Sequence, residues 1–292
     1  MAGLLPRGVS PRDRLVRCPL PAPRRGLEDH HRVLRRRFGT AAVLAPIVVG
    51  AIVLGGPYVV ALVLLVTARA SYELARALTL PYPAAFGAGA LPVLLAVPFG
   101  TTGILAGVML GLPWALFWLA GYPEARTLRA MLALMLMATW VGAPLAHVYL
   151  IGDQTNDLDG VYLVLIAVAG PWVSDSGAYF AGLLFGRHPL FPSLSPKKTI
   201  EGAIGGIVLT TAVVAPLANL LLDLPLWTSA LAGVVISIVS QAGDLFESIL
   251  KRLLGLKDLG RALPGHGGIL DRIDSLLFTA PAVYYLYTLF LT

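Results

Sequence analysis

The chain is poor in charge and almost devoid of cysteine. Charged residues make up 13% of its 292 positions, and Cys18 is its single cysteine. A lone cysteine excludes an internal disulfide framework. Since a soluble domain carries about 25% charged residues, a chain that is 57% hydrophobic cannot cover itself with water-compatible surface. The composition therefore predicts a polytopic membrane protein.

The first 38 residues lack any apolar run, so they lack the hydrophobic core of a cleavable signal peptide. They hold ten of the 22 Lys and Arg residues, all of them Arg, together with five prolines. We interpret residues 1–38 as a disordered cytoplasmic arm held against anionic lipid headgroups, although a solvated tail that only enforces topology explains the pattern equally well. Nucleic-acid binding is disfavoured, because Phe38 is the only aromatic residue of the arm.

Residues 39–292 contain many apolar segments, whose lengths are close to the ~20 residues that a helix needs to cross a bilayer. The segments run over residues 39–56, 57–78, 84–99, 102–120, 128–150, 161–185, 200–222, 226–250 and 271–291. We therefore predict one all-α, membrane-embedded domain of about nine transmembrane helices. Small residues such as Gly177 and Gly205 predict close contact between the helices that carry them.

The loops that would face one side of the membrane lack Lys and Arg altogether. With nine spans, these are residues 55–57, 100–101 and 151–160, Asp223 and the carboxyl terminus. Every basic residue lies within or beside the loops and ends that would face the other side, and these include the arm. Basic residues face the cytoplasm in membrane proteins, so the distribution predicts a cytoplasmic amino terminus.

Two polar clusters lie near the predicted cytoplasmic side. Asp175, with Ser174 and Ser176, lies within the sixth span, where a carboxylate is costly unless it faces a polar cavity or a cation. The alternative is an Asp that only packs between helices. Lys197, Lys198 and Thr199 precede the seventh span, where two lysines and a helix N-terminus would bind an anion. Ordinary positive-inside charge is the alternative here.

The third polar cluster extends from the end of the eighth span to the start of the ninth. Asp244, Ser248 and Lys251 share a helix face at i, i+4 and i+7, and Asp271 and Asp274 share another at i and i+3. Carboxylates on two helix ends would hold one or two cations. The 27 residues from Ser248 to Asp274 contain five basic residues and five glycines, which suit phosphate binding.

The run from Ser248 to Asp274 resembles the signature of the phosphatidate cytidylyltransferases, also called CDP-diacylglycerol synthases. The resemblance rests on the Ser, Lys-Arg, Lys-Asp, His-Gly-Gly and Asp-Arg-x-Asp elements of that run, and it covers residues 40–292. It implies a nine-helix enzyme of the cell membrane, with its active site facing the cytoplasm. The implied reaction converts CTP and phosphatidic acid to CDP-diacylglycerol and pyrophosphate, with Mg²⁺ as cofactor.

The resemblance also implies roles for individual residues. Asp244 and Asp271 would be metal ligands, and Ser248, Lys251 and Asp274 would complete the catalytic set. The residues predicted to bind substrate or phosphate are Asp175, Lys197, Lys198, Thr199, Arg252, Lys257, His266, Gly267, Gly268 and Arg272.

Other functions remain open at this stage. A CTP-dependent enzyme acting on another lipid would use the same metal and phosphate chemistry, and an ion-coupled transporter also carries buried Asp residues and broken helices. The expected partners are CTP, phosphatidic acid and membrane lipids. The sequence leaves the oligomeric state open, a homodimer included, and it also leaves open the number of bound cations.

Overall fold

The computed structural model describes residues 42, 44–122, 127–153, 158–192, 194–255 and 268–291. The basic arm lies outside these ranges, as do Lys257, His266 and Gly267. The interpretation of the arm as a separate unit therefore stays a prediction.

Helices make up nearly all of the described chain. They are α1 (Leu44–Leu54), α2 (Gly56–Leu78), α3 (Tyr82–Gly121), α4 (Leu128–Leu136), α5 (Ala143–Asp153), α6 (Leu158–Phe185), α7 (Ile200–Leu222), α8 (Leu226–Leu253), α9 (Leu270–Ile273) and α10 (Leu276–Leu291). A π-helical segment, Met137–Gly142, joins α4 to α5 without a break. Within the described ranges, six helices are long and apolar enough to cross a membrane, with α4 and α5 counted as one. An all-α membrane protein is confirmed, while the count of nine spans and the cytoplasmic amino terminus stay predictions.

The 40-residue α3 is bent back on itself at Gly100. Gly100 has φ +58° and ψ −136°, a conformation that residues with a side chain rarely adopt. The indole Nε1 of Trp114 donates to the carbonyl of Ala84 at 2.9 Å, across 30 residues of sequence. A side chain at Gly107 would overlap the backbone of Pro92. The two halves of α3 thus run antiparallel in close contact, in agreement with the separate segments 84–99 and 102–120 predicted from hydropathy.

The contact between α6 and α7 depends on small residues, as the sequence predicts. A Cβ at Gly177 would lie 2.7 Å from the carbonyl oxygen of Gly205, and one at Gly202 would lie 2.8 Å from that of Ala178. Lipid supplies no hydrophobic drive for two helices to associate, so close backbone approach has to provide the attraction.

A short antiparallel pair of strands, which the sequence analysis did not predict, precedes α7. β1 (Pro189–Phe191) pairs with β2 (Ser195–Thr199). Thr199 Oγ1 accepts the N–H of Gly202 at 3.1 Å and so caps α7. Glu201 accepts the backbone N–H groups of Arg187 and His188 at 3.1 and 3.3 Å. Together these bonds fasten the strand pair to the first turn of α7.

α8 approaches the segment between α9 and α10 very closely at Gly243. A Cβ there would lie 2.7 Å from the carbonyl oxygen of Asp274. Phe246 packs beside this contact, with its ring centroid 5.1 Å from Trp140 and 5.8 Å from Phe278. This approach brings the carboxylates of Asp244 and Glu247 on α8 next to that of Asp274, the residue after α9.

Candidate active site

Polar side chains from four parts of the chain converge around the carboxyl-terminal half of α8. They are Asp175 from α6, Lys198 from β2, Asp244, Glu247 and Lys251 from α8, and Asp271 and Asp274 from α9 and the residue after it. In sequence these residues form three separate polar clusters, and the fold brings the three together.

Lys251 connects α8 to α9. Its ammonium Nζ lies 2.8 Å from Glu247 Oε2, one helical turn earlier, and 2.9 Å from Asp271 Oδ1. The other oxygen of Asp271, Oδ2, accepts the backbone N–H of Gly268 at 2.9 Å. Both oxygens of the Asp271 carboxylate are therefore held in place, one by Lys251 and the other by the backbone of Gly268.

Three other carboxyl groups, those of Asp244, Glu247 and Asp274, form an acidic cluster. One oxygen from each lies within 4.8 Å of the other two. Glu247 is 1% exposed and Asp274 is 8% exposed. Within the described part of the chain, Glu247 Oε1 is buried and has no hydrogen-bond partner.

The acidic cluster has the chemistry of a cation site. Carboxylates at this spacing repel one another. Lys198 and Lys251 pair with Asp244 and Glu247, and a bound cation would balance the remaining negative charge. Oxygen ligands from carboxylates are those that Mg²⁺ prefers, and the unpartnered oxygen of Glu247 fits a ligand of this kind.

The arrangement differs from the metal pair that the sequence analysis names, Asp244 and Asp271. Asp244 lies in the acidic cluster, whereas Asp271 bonds Lys251, and Lys251 in turn bonds Glu247. Glu247 is absent from the predicted site. It lies three residues after Asp244 and four before Lys251, so the helical period placed it beside both.

Lys197 and Lys198 have different surroundings although they are neighbours in sequence. Successive side chains on a strand point to opposite faces, and both residues lie on β2. Lys197 is exposed, while Lys198 is partly buried and forms an ion pair with Asp244. Burial lowers the pKa of Lys198, while the negative charges of Asp175 and Asp274 act in the opposite direction. Lys198 therefore contacts the carboxylates of the candidate site whereas Lys197 is exposed, and the joint role of the two lysines stays a prediction.

A largely apolar cavity of about 490 Å³ ends at this site. Its apolar walls come from α1, α2, α5 and α6, with residues such as Val48, Val66 and Leu165. The polar residues of its lining are Asp175, Asp271, Arg272, Asp274 and Ser275. A ligand with a long apolar part and an ionic end matches both kinds of surface.

The remaining predicted site residues differ in their burial and in the contacts they make. Ser248 is partly buried, one turn beyond Asp244, and Arg252 is exposed on the last turn of α8. Thr199 serves as the cap of α7, and Gly268 contributes its N–H to Asp271. Lys257, His266 and Gly267 lie outside the described residues.

Known proteins resemble this chain over most of its length. The model of the cytidylyltransferase family matches residues 35–290. A protein of Mycobacterium tuberculosis named phosphatidate cytidylyltransferase is 33% identical over 309 aligned residues, which cover 97% of this chain and 93% of that protein. The protein of the same name from Mycobacterium bovis is 33% identical over 297 residues, covering 93% and 96%.

A third relative, from Staphylococcus haemolyticus, has the same name. It is 47% identical over 126 residues, which cover 42% of this chain and 48% of that protein. The family match spans most of the chain, and the mycobacterial relatives align over nearly their whole length. The chain therefore belongs to the cytidylyltransferase family and is a nucleotidyltransferase.

Proposed function

We propose that this protein transfers the cytidylyl group of CTP to phosphatidic acid, forming CDP-diacylglycerol and releasing pyrophosphate. Two lines of support are family membership and the name shared by its relatives. The observation that carries the proposal is the continuity between an apolar cavity and a site of paired lysines and carboxylates. A lipid phosphate needs the first for its acyl chains and the second for its headgroup.

The reaction is an in-line displacement at phosphorus. An oxygen of the phosphatidic acid phosphate attacks the α-phosphorus of CTP, the bond from that phosphorus to the bridging oxygen breaks, and pyrophosphate leaves. The attacking oxygen is already an anion, so the step requires no strong base. The main obstacle is the repulsion between two anionic substrates.

The lysines of the site are suited to reduce this repulsion. Two lysines contact the acidic cluster: Lys198 forms an ion pair with Asp244, and Lys251 forms one with Glu247. Charge-assisted hydrogen bonds from their ammonium groups would hold phosphate oxygens in place. Arg272, which lines the polar end of the cavity, would receive the lipid phosphate.

Mg²⁺ is the proposed cofactor. When bound, it would neutralise phosphate charge and polarise the α-phosphoryl group. Asp244, Glu247 and Asp274 would hold it, and Asp271 stays in the proposal as a ligand of a second cation. The site would face the cytoplasm of a bacterial cell membrane, because the basic residues of the chain concentrate on that predicted side.

The test is a pyrophosphate-release assay with the purified full-length protein in detergent, CTP, Mg²⁺ and phosphatidic acid. We expect one CDP-diacylglycerol for each pyrophosphate, and little activity when ATP, GTP or UTP replaces CTP. Isoprenoid phosphates and diacylglycerol serve as competing lipids. Turnover of an isoprenoid phosphate in preference to phosphatidic acid would replace the proposed substrate, and the absence of pyrophosphate with every lipid would overturn the proposal.

A further inference from the structure

Glu73 is a deeply buried carboxylate that belongs to none of the clusters described above. It lies near the end of α2 and is 2% exposed. The backbone N–H of Ile269 donates to both of its oxygens, at 3.0 and 2.8 Å, and that of Leu270 donates to Oε2 at 3.2 Å. Residues almost 200 positions apart in sequence are therefore joined directly at this point.

The backbone that Glu73 holds leads directly into Asp271. The N–H of Gly268 is held by Asp271 itself, so carboxylates accept three successive N–H groups, those of Gly268, Ile269 and Leu270. α9 contains four residues, Leu270–Ile273, and a helix of about one turn is not stable by itself. Its orientation therefore depends on outside contacts, among them the ion pair of Asp271 with Lys251 and the hydrogen bonds of the Ile269 and Leu270 N–H groups to Glu73.

The same helix, α2, also forms part of the cavity wall. Leu62 and Val66 line the cavity, and Glu73 follows Val66 by seven residues, which places it on the same helix face. Ile269 and Asp271 line the other end of that cavity. Glu73 does not line the cavity, and its oxygens accept hydrogen bonds from backbone N–H groups. The guanidinium of Arg69, one turn earlier on α2, lies 3.9 Å from Oε1.

Taking the reaction proposed above as the activity, we infer that Glu73 is a positioning residue for the active site. It fixes the backbone of residues 268–270, and through that backbone it sets the position of Asp271 relative to Lys251. Hydrogen bonds to a carboxylate are stronger than those to a neutral acceptor, so the carboxylate of Glu73 should hold this backbone more firmly than an amide of the same shape. Its effect on catalysis passes through Asp271 and not through contact with substrate.

The test compares Glu73→Gln and Glu73→Ala with wild type, using Ser71→Ala as the matched control. Ser71 is buried on the same helix, and its hydroxyl has no hydrogen-bond partner within the described residues, so its removal breaks no bond. Gln retains one carbonyl acceptor but no charge, whereas Ala retains neither. From wild type through Glu73→Gln to Glu73→Ala, the contact with residues 269 and 270 is therefore lost in steps, while the rest of α2 keeps its sequence.

The first readout is hydrogen–deuterium exchange of peptides that cover residues 268–275, measured on the full-length protein in detergent. In Glu73→Ala, we expect exchange at Ile269 and Leu270 to accelerate by at least about tenfold, with Glu73→Gln intermediate. Peptides from α6 and α7 should exchange as in wild type, and so should all peptides of Ser71→Ala.

The second readout is steady-state kinetics. A misplacement of about 1 Å can cost about 100-fold in rate, so we expect kcat of Glu73→Ala to fall at least about tenfold. The KM for CTP should change by less than about threefold, because Glu73 makes no uniform contribution to substrate binding. Glu73→Gln should recover part of the lost kcat.

The outcomes separate the alternatives. Faster exchange throughout the bundle would show that Glu73 only supports the fold, and unchanged exchange at residues 268–271 would show that it does not hold the segment. Local loosening with an unchanged kcat would also overturn the positioning role. An inactive wild-type protein would refute the proposed function instead, and the exchange data would still decide whether Glu73 anchors Asp271.

Discussion

Two contacts between helices hold this protein together by opposite means. α6 and α7 meet where side chains are missing, at Gly177, Gly202 and Gly205. The end of α2 meets the start of α9 through a buried charge, that of Glu73, which accepts backbone hydrogen bonds. In a bilayer, the first kind of contact needs only shape, because any small residue allows backbones to approach. The second kind needs a specific partner, because an unpaired buried carboxylate is strongly unfavourable.

Removing one charge from the acidic cluster should stop turnover and leave the fold intact. We expect Asp244→Asn to lower kcat by about 100-fold or more, since it removes a proposed metal ligand. Asp271→Asn should have a similar effect. The measurement is pyrophosphate release at saturating Mg²⁺, together with the yield of monodisperse protein.

Asp223→Asn is the control for this pair. Asp223 is exposed between α7 and α8 and has φ +50°, a conformation that Asn adopts readily. It should retain wild-type activity. An Asp244→Asn enzyme that keeps more than about a tenth of the wild-type rate, a loss below ~1.4 kcal/mol, would remove Asp244 from the metal site.

Filling the α6–α7 contact should lower the stability of the protein and leave its catalytic activity nearly unchanged. A Cβ at Gly205 would overlap the Ala181 side chain and lie 3.1 Å from the Gly177 carbonyl oxygen. Overpacking of this kind costs about 1–3 kcal/mol, so Gly205→Leu should lower the thermal midpoint and the folded yield. The specific activity of the folded fraction should change little.

Gly152→Leu makes the same substitution where nothing lies within 4 Å of the added Cβ. Its thermal midpoint should stay close to that of wild type. Equal losses in both variants would mean that Leu at a helical Gly is harmful for reasons other than the α6–α7 contact.

The two neighbouring lysines of β2 test whether the ion pair with Asp244, and not positive charge in general, supports activity. Lys198→Ala removes the ion pair with Asp244 and should lower kcat/KM by about tenfold or more. Lys197→Ala removes an exposed charge and should change kcat/KM by less than about threefold. Steady-state kinetics on both variants makes the comparison, and equal losses would show that the two side chains act together.

Deleting residues 1–36 should have the smallest effect. No proposed ligand lies in the arm, so activity in neutral detergent micelles should stay within about twofold of wild type. On vesicles rich in anionic lipid, activity should fall, because each Arg near the surface contributes ~1 kcal/mol of attraction at low salt. A large loss in detergent would instead make the arm part of the site.

The predictable part of the fold is the part that depends on short stretches of sequence. The segment 200–222 predicted from hydropathy coincides with α7, and 226–250 ends three residues before α8 does. The turn at Gly100 was predictable from the break between two apolar runs. The strand pair before α7 was not predictable from the sequence. Its eight strand residues show no clear alternation of apolar and polar side chains, and its stability depends on hydrogen bonds to Glu201.

The candidate site was predictable only in outline. Helical spacing predicts Asp244 and Lys251 on one face of α8, and in the structure each lies next to Glu247, which the same spacing would have added. Glu73 gave a weaker signal, a carboxylate inside an apolar segment, which by itself identifies no partner. Its partners are backbone groups at Ile269 and Leu270, and no pattern of side chains reports those.

Amino-acid sequence alone determined that this chain is a helical membrane protein and which stretch carries its polar chemistry. Both follow from local properties, since the length of an apolar run and the spacing of residues on one helix need no knowledge of neighbouring helices. The tertiary structure alone decided that Lys198 faces Asp244 while Lys197 does not, and that Glu73 holds the segment before Asp271. The pairing of buried charges depends on distances between helices, and these are set only when all the helices have packed together.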